Sequence, residues 1–120
     1  MQRFALHRYS MHLCLMQTEL LKGTLSTIIL KLLAEKGKMY GYQITQEVKE
    51  VSGGIILVKE GSLYPALFKL KEEGLVNTEE ENIGKRIRRY YSLTPEGIAE
   101  TQRRIEQVHS FIELLNKIFK

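Results

Sequence analysis

The strongest concentration of positive charge in the chain lies in residues 84–93. This segment contains no acidic residue and four basic ones, Lys85, Arg86, Arg88 and Arg89. Guanidinium and ammonium groups donate hydrogen bonds to phosphate oxygens, so the composition suits contacts with a nucleic-acid backbone. A solvated hairpin tip would have the same composition, and the neighbouring elements must decide between the two interpretations.

Residues 59–75 supply a second polar set, on a segment whose spacing predicts a helix. Leu63, Leu67 and Leu70 recur at helical intervals and predict one buried stripe. The side chains off this stripe carry hydroxyl and amine groups, on Ser62, Tyr64, Lys69 and Lys71. The pattern indicates a helix with an apolar back and a hydrogen-bonding front, although an ordinary surface helix would look the same.

The boundaries of this helix are also marked. Ser62 is expected to cap the first turn. Pro65 is expected in or near that turn, where its missing N–H costs little. Gly74 is expected to end the helix, because glycine adopts the left-handed conformation that follows many helices.

Two further helices are predicted before it. Residues 18–36 place leucine and isoleucine at steps of three and four on one broad face. Residues 39–51 form a shorter helix whose expected buried stripe is Ile44, Val48 and Val51. The next residues, 55–58, are rich in β-branched side chains and predict either a brief strand or an extended connector.

Residues 75–93 predict a β-hairpin. Its turn is expected at residues 82–84, Asn-Ile-Gly, because asparagine and glycine tolerate positive φ. Alternation along the second strand predicts that Tyr91 and Leu93 share the core face, with Arg88 on the opposite face.

Three consecutive glutamates, at positions 79–81, precede the basic segment. They would repel phosphates if they faced DNA. Strand alternation leaves two alternatives: the carboxylates lie away from the DNA, or they pair with the arginines.

The last helix is predicted to begin at Thr94-Pro95, with threonine as the N-cap and proline at the first helical position. Large apolar residues then repeat every seven positions, as in a coiled-coil seam. A single small domain does not bury such a seam, so we expect a homodimer. The expected dimerisation residues are Ile98, Ile105, Val108, Ile112, Leu115 and Phe119.

Composition limits the function classes. The chain has 120 residues, which suits one domain, with a net charge of +4 that leans weakly towards an anionic partner. Cys14 is the single cysteine, so no disulfide forms within the chain, and a cytoplasmic location without a membrane span is expected. We find no Gly-rich phosphate loop, paired-cysteine motif or nucleophile with a base, so no enzyme, cofactor or metal site is predicted.

Three helices followed by a two-stranded hairpin form the winged helix-turn-helix arrangement, in which the third helix enters the DNA major groove. The predicted fold class is therefore mainly α with a small β-hairpin. Residues 1–17 are taken as an N-terminal extension of uncertain structure. The winged helix-turn-helix domain is expected over residues 18–93, and the dimerisation helix over residues 94–120.

Four segments together resemble the PadR family of bacterial transcriptional regulators. They are LLKGTL (20–25), YGYQI (40–44), EGSLYPALFKLKEEGLV (60–76) and GKRIRRYYSLTPEG (84–97). The single long C-terminal helix is similar to that of the family's short-tailed subgroup. The resemblance implies a homodimeric winged-helix repressor of its own or a neighbouring promoter, bound at an inverted repeat in double-stranded DNA and released by an aromatic or apolar small molecule.

The resemblance also implies roles for individual residues. The residues expected to contact DNA lie in three places: Tyr40 and Tyr42 at the start of the second helix, Ser62, Tyr64 and Pro65 at the start of the recognition helix, and Lys85, Arg86 and Arg88 in the wing. Lys69, further along the recognition helix, is expected to contact the DNA backbone. An effector is expected between subunits near Val108, Phe111 and Leu115, where wide apolar surface must meet its symmetry mate.

One alternative remains open from the sequence. A winged helix can serve as a protein-interaction module without binding specific DNA. That interpretation accounts for the fold and the apolar seam, but not for the polar front of the recognition helix beside a basic wing.

Overall fold

The computed structural model of the protein describes residues 21–120, so the predicted extension at residues 1–17, with Cys14, lies outside the described residues. The elements, in order, are α1 (Lys22–Lys36), β1 (Met39–Tyr40), α2 (Gly41–Val51), α3 (Glu60–Glu72), β2 (Val76–Ile83), β3 (Arg86–Leu93) and α4 (Pro95–Ile118). The strands form one antiparallel sheet in the order β1-β3-β2. The predicted fold class, mainly helical with a small hairpin, is confirmed.

The core is built around α1. Leucine and isoleucine side chains of α1 meet the apolar stripes of α2 and α3 and the base of the sheet. The stripe predicted for α3 is confirmed, because Leu63, Leu67 and Leu70 are fully buried. The stripe predicted for α2 is correct for Ile44 and Val48 but wrong for Val51, which is 67% exposed. Val51 borders an open groove between α1 and α4, and no element within residues 21–120 covers it there.

The predicted helix over residues 39–51 begins two residues late, because Met39 and Tyr40 form strand β1. They pair with Tyr91 and Tyr90 of β3. The hairpin of β2 and β3, which we call the wing, is therefore joined to the helices by a third strand. Two residues are too few for an alternating pattern to appear in the sequence. The backbone N–H of Tyr40 donates to the side-chain oxygen of Gln43 at 3.0 Å, and α2 starts directly after it.

Helix α3 begins earlier than predicted, and Ser62 is not its cap. Lys59 is the N-cap residue, and its carbonyl accepts bonds from the N–H groups of Ser62 and Leu63. Ser62 is therefore already inside the helix. Pro65 lies in the second turn, where it removes the donor that would bond the Gly61 carbonyl. The predicted end is confirmed, because Gly74 follows α3 with φ of +75°.

The wing turns one step later than predicted. The register pairs Ile83 with Arg86, so the turn consists of Gly84 and Lys85, and Asn82 belongs to β2. Gly84 has φ of +63°, as the first central residue of a type II′ hairpin turn requires. This turn matches the twist of the two strands, which accounts for its preference over a turn centred on Ile83.

A compact junction fastens α4 to the end of α3. The hydroxyl of Thr94 accepts a bond from the N–H of Gly97 at 2.9 Å and donates to the Gly74 carbonyl at 2.7 Å. The predicted cap of α4 is therefore confirmed. Gly97 lies so close to the chain that a Cβ there would stand 2.0 Å from the Leu75 carbonyl oxygen. Two turns further, Arg104 lies 2.7 Å from Glu100 and 3.4 Å from Glu73, which joins α4 to the end of α3 again.

A second close approach joins α2 to α3. The ring of Tyr64 lies over the backbone of Gly41, where a Cβ would stand 2.7 Å from the tyrosine hydroxyl. Burial raises the pKa of Tyr64 above its ordinary value, and the charge of Glu60 acts in the same direction. Tyr64 is nevertheless 46% exposed, so its hydroxyl edge stays near the surface between the two helices.

We predict that Gly41→Ala displaces the Tyr64 ring, because the new methyl group would overlap its hydroxyl. The displaced ring is more hydrated, so the pKa of Tyr64 falls towards its ordinary value. Spectrophotometric titration measures the pKa, with Tyr64→Phe identifying the Tyr64 contribution.

Gly23→Ala is the matched control for this test. Among the described residues outside its own helix turn, no atom lies within 4 Å of a Cβ at Gly23, so that substitution should leave the Tyr64 titration unchanged. An unaltered Tyr64 titration in Gly41→Ala would contradict the packing described above.

Candidate nucleic-acid interface

Two of the predicted DNA-contacting tyrosines and one wing arginine come together at the base of the wing. The rings of Tyr40 and Tyr42 stack with centroids 6.5 Å apart, and Tyr90 meets Tyr40 edge-on at 5.5 Å. The guanidinium carbon of Arg88 lies 4.1 Å from the centroid of Tyr40. The ammonium of Lys38 lies 5.1 Å from the centroid of Tyr90. We call these five residues the wing-base cluster.

The wing-base cluster holds a cation in a defined position at the surface. A hydrogen bond with the Tyr90 side chain raises the pKa of Arg88, and the charges of Tyr40, Tyr90 and Glu81 add to the rise. Arginine is charged at any physiological pH, and here its guanidinium is held over the ring of Tyr40. In this position the N–H groups at the edge of the guanidinium remain able to donate hydrogen bonds to a phosphate.

Sequence reasoning missed two members of the cluster, Tyr90 and Lys38. The signal for Tyr90 was present, because strand alternation already put it on the same face as Arg88. Lys38 gave no such signal. It reaches the cluster through β1, and it forms an ion pair of 3.2 Å with Glu79, a residue 41 positions away in sequence.

The three glutamates of the wing lie where their charges are compensated. Glu79 pairs with Lys38, and Glu80 forms an ion pair of 3.0 Å with Arg89. Glu81 is directly opposite Arg88 in the strand register. Because cross-strand partners share a face, Glu79 and Glu81 lie on the same side of the sheet as Arg88. Both alternatives therefore occur: Glu79 is paired on the face of Arg88, whereas Glu80 lies on the opposite face and is paired with Arg89.

At the tip of the wing, by contrast, the positive charges are not paired with any carboxylate that the structure describes. Lys85 lies in the turn and Arg86 opens β3, and both side chains are exposed. Within residues 21–120 neither forms an ion pair, in contrast to Arg89 at the middle of the strand. The tip therefore presents two uncompensated cations at the end of a projecting hairpin.

The predicted residues of α3 lie on both flanks of the helix. Tyr64 faces α2 and packs over Gly41. Ser62 and Lys69 lie on the flank towards α1, with Pro65 at the outer edge of that flank. There they border a groove of about 250 Å³ with the start of α1, where the neighbouring side chains are those of Leu21, Lys22, Leu25 and Ser26. The structure thus brings hydroxyl and ammonium groups to either side of α3.

The predicted dimerisation residues of α4 differ in burial. Ile105, Val108 and Leu115 are half-buried, whereas Ile98, Ile112 and Phe119 are 61%, 47% and 79% exposed in a single protomer. Phe111, Leu114 and Ile118 are also exposed. The second half of α4 therefore carries a broad apolar surface that this protomer does not cover.

The residues predicted to bind an effector lie on different surfaces of the protein. Val108 lines an open apolar groove of about 340 Å³ between α1 and α4, together with Ile28, Leu32, Val51 and Ile105. Phe111 lines a different, shallower surface with Leu114, and Leu115 borders neither. Among the residues described, no cluster of ligands able to hold a metal is found, and no helix is long and apolar enough to span a bilayer.

Comparison with known proteins identifies the fold. A transcriptional regulator from Clostridium thermocellum is 31% identical, with 85% of this chain and 99% of that one aligned and a TM-score of 0.79. The structure of Bacillus subtilis PadR in complex with operator DNA is 34% identical, covering 68% of this chain and 46% of that one, with a TM-score of 0.61.

Sequence comparison leads to the same group. The transcriptional regulator Rv3488 of Mycobacterium tuberculosis is 32% identical over 78 residues, which is 62% of this chain and 70% of that protein. The profile of the PadR-like transcriptional regulators matches residues 29–103, from the middle of α1 through the wing into α4. The chain therefore belongs to the transcriptional regulator PadR-like family.

Proposed function

We propose that the protein is a homodimeric, sequence-specific repressor that binds an inverted repeat in double-stranded DNA in the cytoplasm. The observation that carries the proposal is the wing-base cluster, which holds the Arg88 guanidinium against Tyr40 beside the start of α2. The solved complex of Bacillus subtilis PadR with operator DNA supports it, since that protein has the same fold.

In the proposed complex, α3 enters the major groove and the wing follows the DNA backbone. Lys85, Arg86 and Arg88 donate to phosphates, as does the hydroxyl of Tyr42, which is 64% exposed. Ser62 and Tyr64 act from the two flanks of α3, and Lys69 reaches the backbone beside them. Phosphate contacts supply most of the affinity, and contacts from α3 supply the discrimination between sequences.

The proposed phosphate contacts predict a specific salt dependence. Arg86→Ala and Arg88→Ala should weaken binding to all duplexes alike and reduce the slope of log K against log salt by about 0.9 for each phosphate that is no longer neutralised. Ser62→Ala should instead weaken the operator more than random DNA. Fluorescence anisotropy at several salt concentrations measures both effects.

Arg103→Ala is the matched control for the wing variants. It removes the same charge from an exposed arginine on α4, where Arg103 pairs with Glu100, and it should leave the slope unchanged. If the wild-type dimer shows no preference for its own upstream region over random duplex at low salt, the protein is not a sequence-specific regulator, and a protein-interaction module becomes the better interpretation.

Dimerisation through α4 is proposed from the apolar surface that one protomer leaves open. Two copies related by a twofold axis would cover Ile112 and Phe119 and present two α3 helices. Such helices read half-sites about one helical turn of DNA apart, roughly 34–36 Å, or a multiple of it.

We predict that Ile112→Asp yields a folded monomer, because a carboxylate would be buried without a partner in the dimer but is solvated in the monomer. Light scattering at micromolar concentration measures the mass. Ser110→Asp adds the same charge at an exposed position off the seam and should remain dimeric. A wild-type protein that is monomeric at this concentration would refute the proposed dimer.

The groove between α1 and α4 is proposed as the place where a small apolar or aromatic effector binds and releases DNA. Its volume of about 340 Å³ lies within the range of small-molecule sites, and its lining is apolar. In a dimer, the partner's α4 would lie close to its open side. The effector would then contact Val108, whereas Phe111 would lie outside the groove.

The separation of Val108 from Phe111 allows a direct test with the apolar dye 8-anilinonaphthalene-1-sulfonate. We expect the dye to raise the melting temperature of the wild type and to lower its affinity for DNA. Val108→Gln should abolish both effects, and Phe111→Gln, the control, should retain them. Equal responses in the two variants would exclude this groove as the site.

A further inference from the structure

The outermost face of α3 is apolar up to Phe68, although its flanks are polar. The buried stripe of Leu63, Leu67 and Leu70 fixes the inner side of the helix. With 100° between successive residues, the positions opposite that stripe are Gly61, Pro65, Phe68 and, in the last turn, Glu72. All four are exposed. Of these, the first three have no hydrogen-bond donor or acceptor in their side chains, and Glu72 is the exception.

Phe68 is the dominant side chain of this outer face. It is 64% exposed, and among the residues described it belongs neither to the hydrophobic core nor to an aromatic pair. Tyr64, by contrast, is held against Gly41. Neither packing nor hydrogen bonding within residues 21–120 accounts for a phenylalanine at this position of the helix proposed to face DNA.

The chemistry of the major groove offers a match for such a face. Each base pair displays hydrogen-bond donors and acceptors there, and a phenylalanine satisfies none of them. The exception is the C5-methyl group of thymine, which is the apolar group exposed at the base edges and is contacted by apolar side chains. Because Gly61 has no side chain and Pro65 a short one, the face between them and Phe68 can approach the bases closely.

We propose that Phe68 is a specificity-determining residue that reads the C5-methyl group of a thymine in each half-site. This inference rests on the proposed function and names one chemical feature of the operator. The hydroxyl and ammonium groups on the two flanks of α3 hold the helix to the groove walls, and Phe68 selects the base beneath its centre. Glu72, one turn beyond Phe68, lies at the end of α3 that leaves the groove, since recognition helices contact bases with their N-terminal residues.

The test uses the full-length protein and a duplex that it selects from a randomised pool. Each thymine of that duplex is replaced in turn by deoxyuridine, which removes the methyl group and leaves every hydrogen bond intact. At one position in each half-site, deoxyuridine should weaken wild-type binding about fourfold, the change expected for one methyl-sized group buried.

Phe68→Ala should weaken binding to the selected duplex, leave binding to random duplex unchanged, and lose the response to deoxyuridine at that position. Phe68→Leu should retain part of the response. Leu57→Ala is the matched control, because Leu57 is an exposed apolar residue outside α3, and this variant should behave as the wild type. All variants change exposed side chains, so unchanged thermal melting verifies that they fold.

The proposal is overturned if the wild type binds its selected duplex but tolerates deoxyuridine at every thymine. It is equally overturned if Phe68→Ala keeps the full deoxyuridine penalty, or weakens selected and random duplexes alike. If no duplex is selected from the pool at all, the proposed function fails together with this inference. Failure of the role of Phe68 alone is thereby distinguished from failure of DNA recognition.

Discussion

Helix α1 is packed on several sides at once, and the other elements depend on this burial. Ile29 and Leu30 are adjacent in the chain, yet neither has accessible surface. Leu25, Leu32 and Leu33 are buried as well, so the buried face of α1 is broad. The helices α3 and α4 and the sheet all contact α1. The orientation of the candidate recognition helix and that of the candidate dimerisation helix are therefore both set against the same central helix.

Charge on the wing is largely balanced within the protein. Lys38 compensates Glu79, and Arg89 compensates Glu80, so that the two cations at the tip carry most of the uncompensated charge of the hairpin. The net charge of the whole chain is only +4. Non-specific attraction to DNA grows with the number of phosphates neutralised. A wing whose charges are mostly paired within the protein therefore limits this attraction. Discrimination between sequences would then rest on α3, whose outer face is apolar and uncharged up to Phe68.

The parts of the fold that follow from periodicity were predictable from sequence, and those that follow from long-range pairing were not. A 3.6-residue period marked the stripe of α3, and Thr94-Pro95 marked the start of α4. Strand β1 was not predictable, because its two residues gain their structure only from β3. The position of the wing turn depends on which residues pair across the hairpin. The residues around the turn are compatible with two adjacent pairing registers of the β2–β3 hairpin.

The candidate site shows the same division between local and long-range signals. Residue type and order were enough to nominate Tyr40 and Arg88. Their contact with each other depends on β1 pairing with β3, which the local sequence does not encode. Val51 continues the stripe of Ile44 and Val48 in the sequence, yet it is exposed in the structure. A helical period shows which face of a helix is apolar, but it does not show whether a neighbouring element extends far enough to cover it.

The links between α3 and α4 restrict how an effector could act on DNA binding. Thr94 bonds to the residue that ends α3, and Gly97 leaves no space for sliding against Leu75. Arg104 adds a second connection, to Glu73. The first turns of α4 therefore move together with α3 as one body. The proposed groove lies just beyond these links, beside Val108, where α4 begins to leave the protomer.

A ligand at this boundary would change the direction of the free half of α4, and hence the angle between the two subunits. It would leave α3 in place within its own protomer. A ligand shifts such an equilibrium only by the difference between its affinities for the two arrangements. For this protein the arrangements would differ in the spacing of the two recognition helices. Operator spacing, and not the shape of the DNA-reading surface, is then the property through which an effector would control DNA binding.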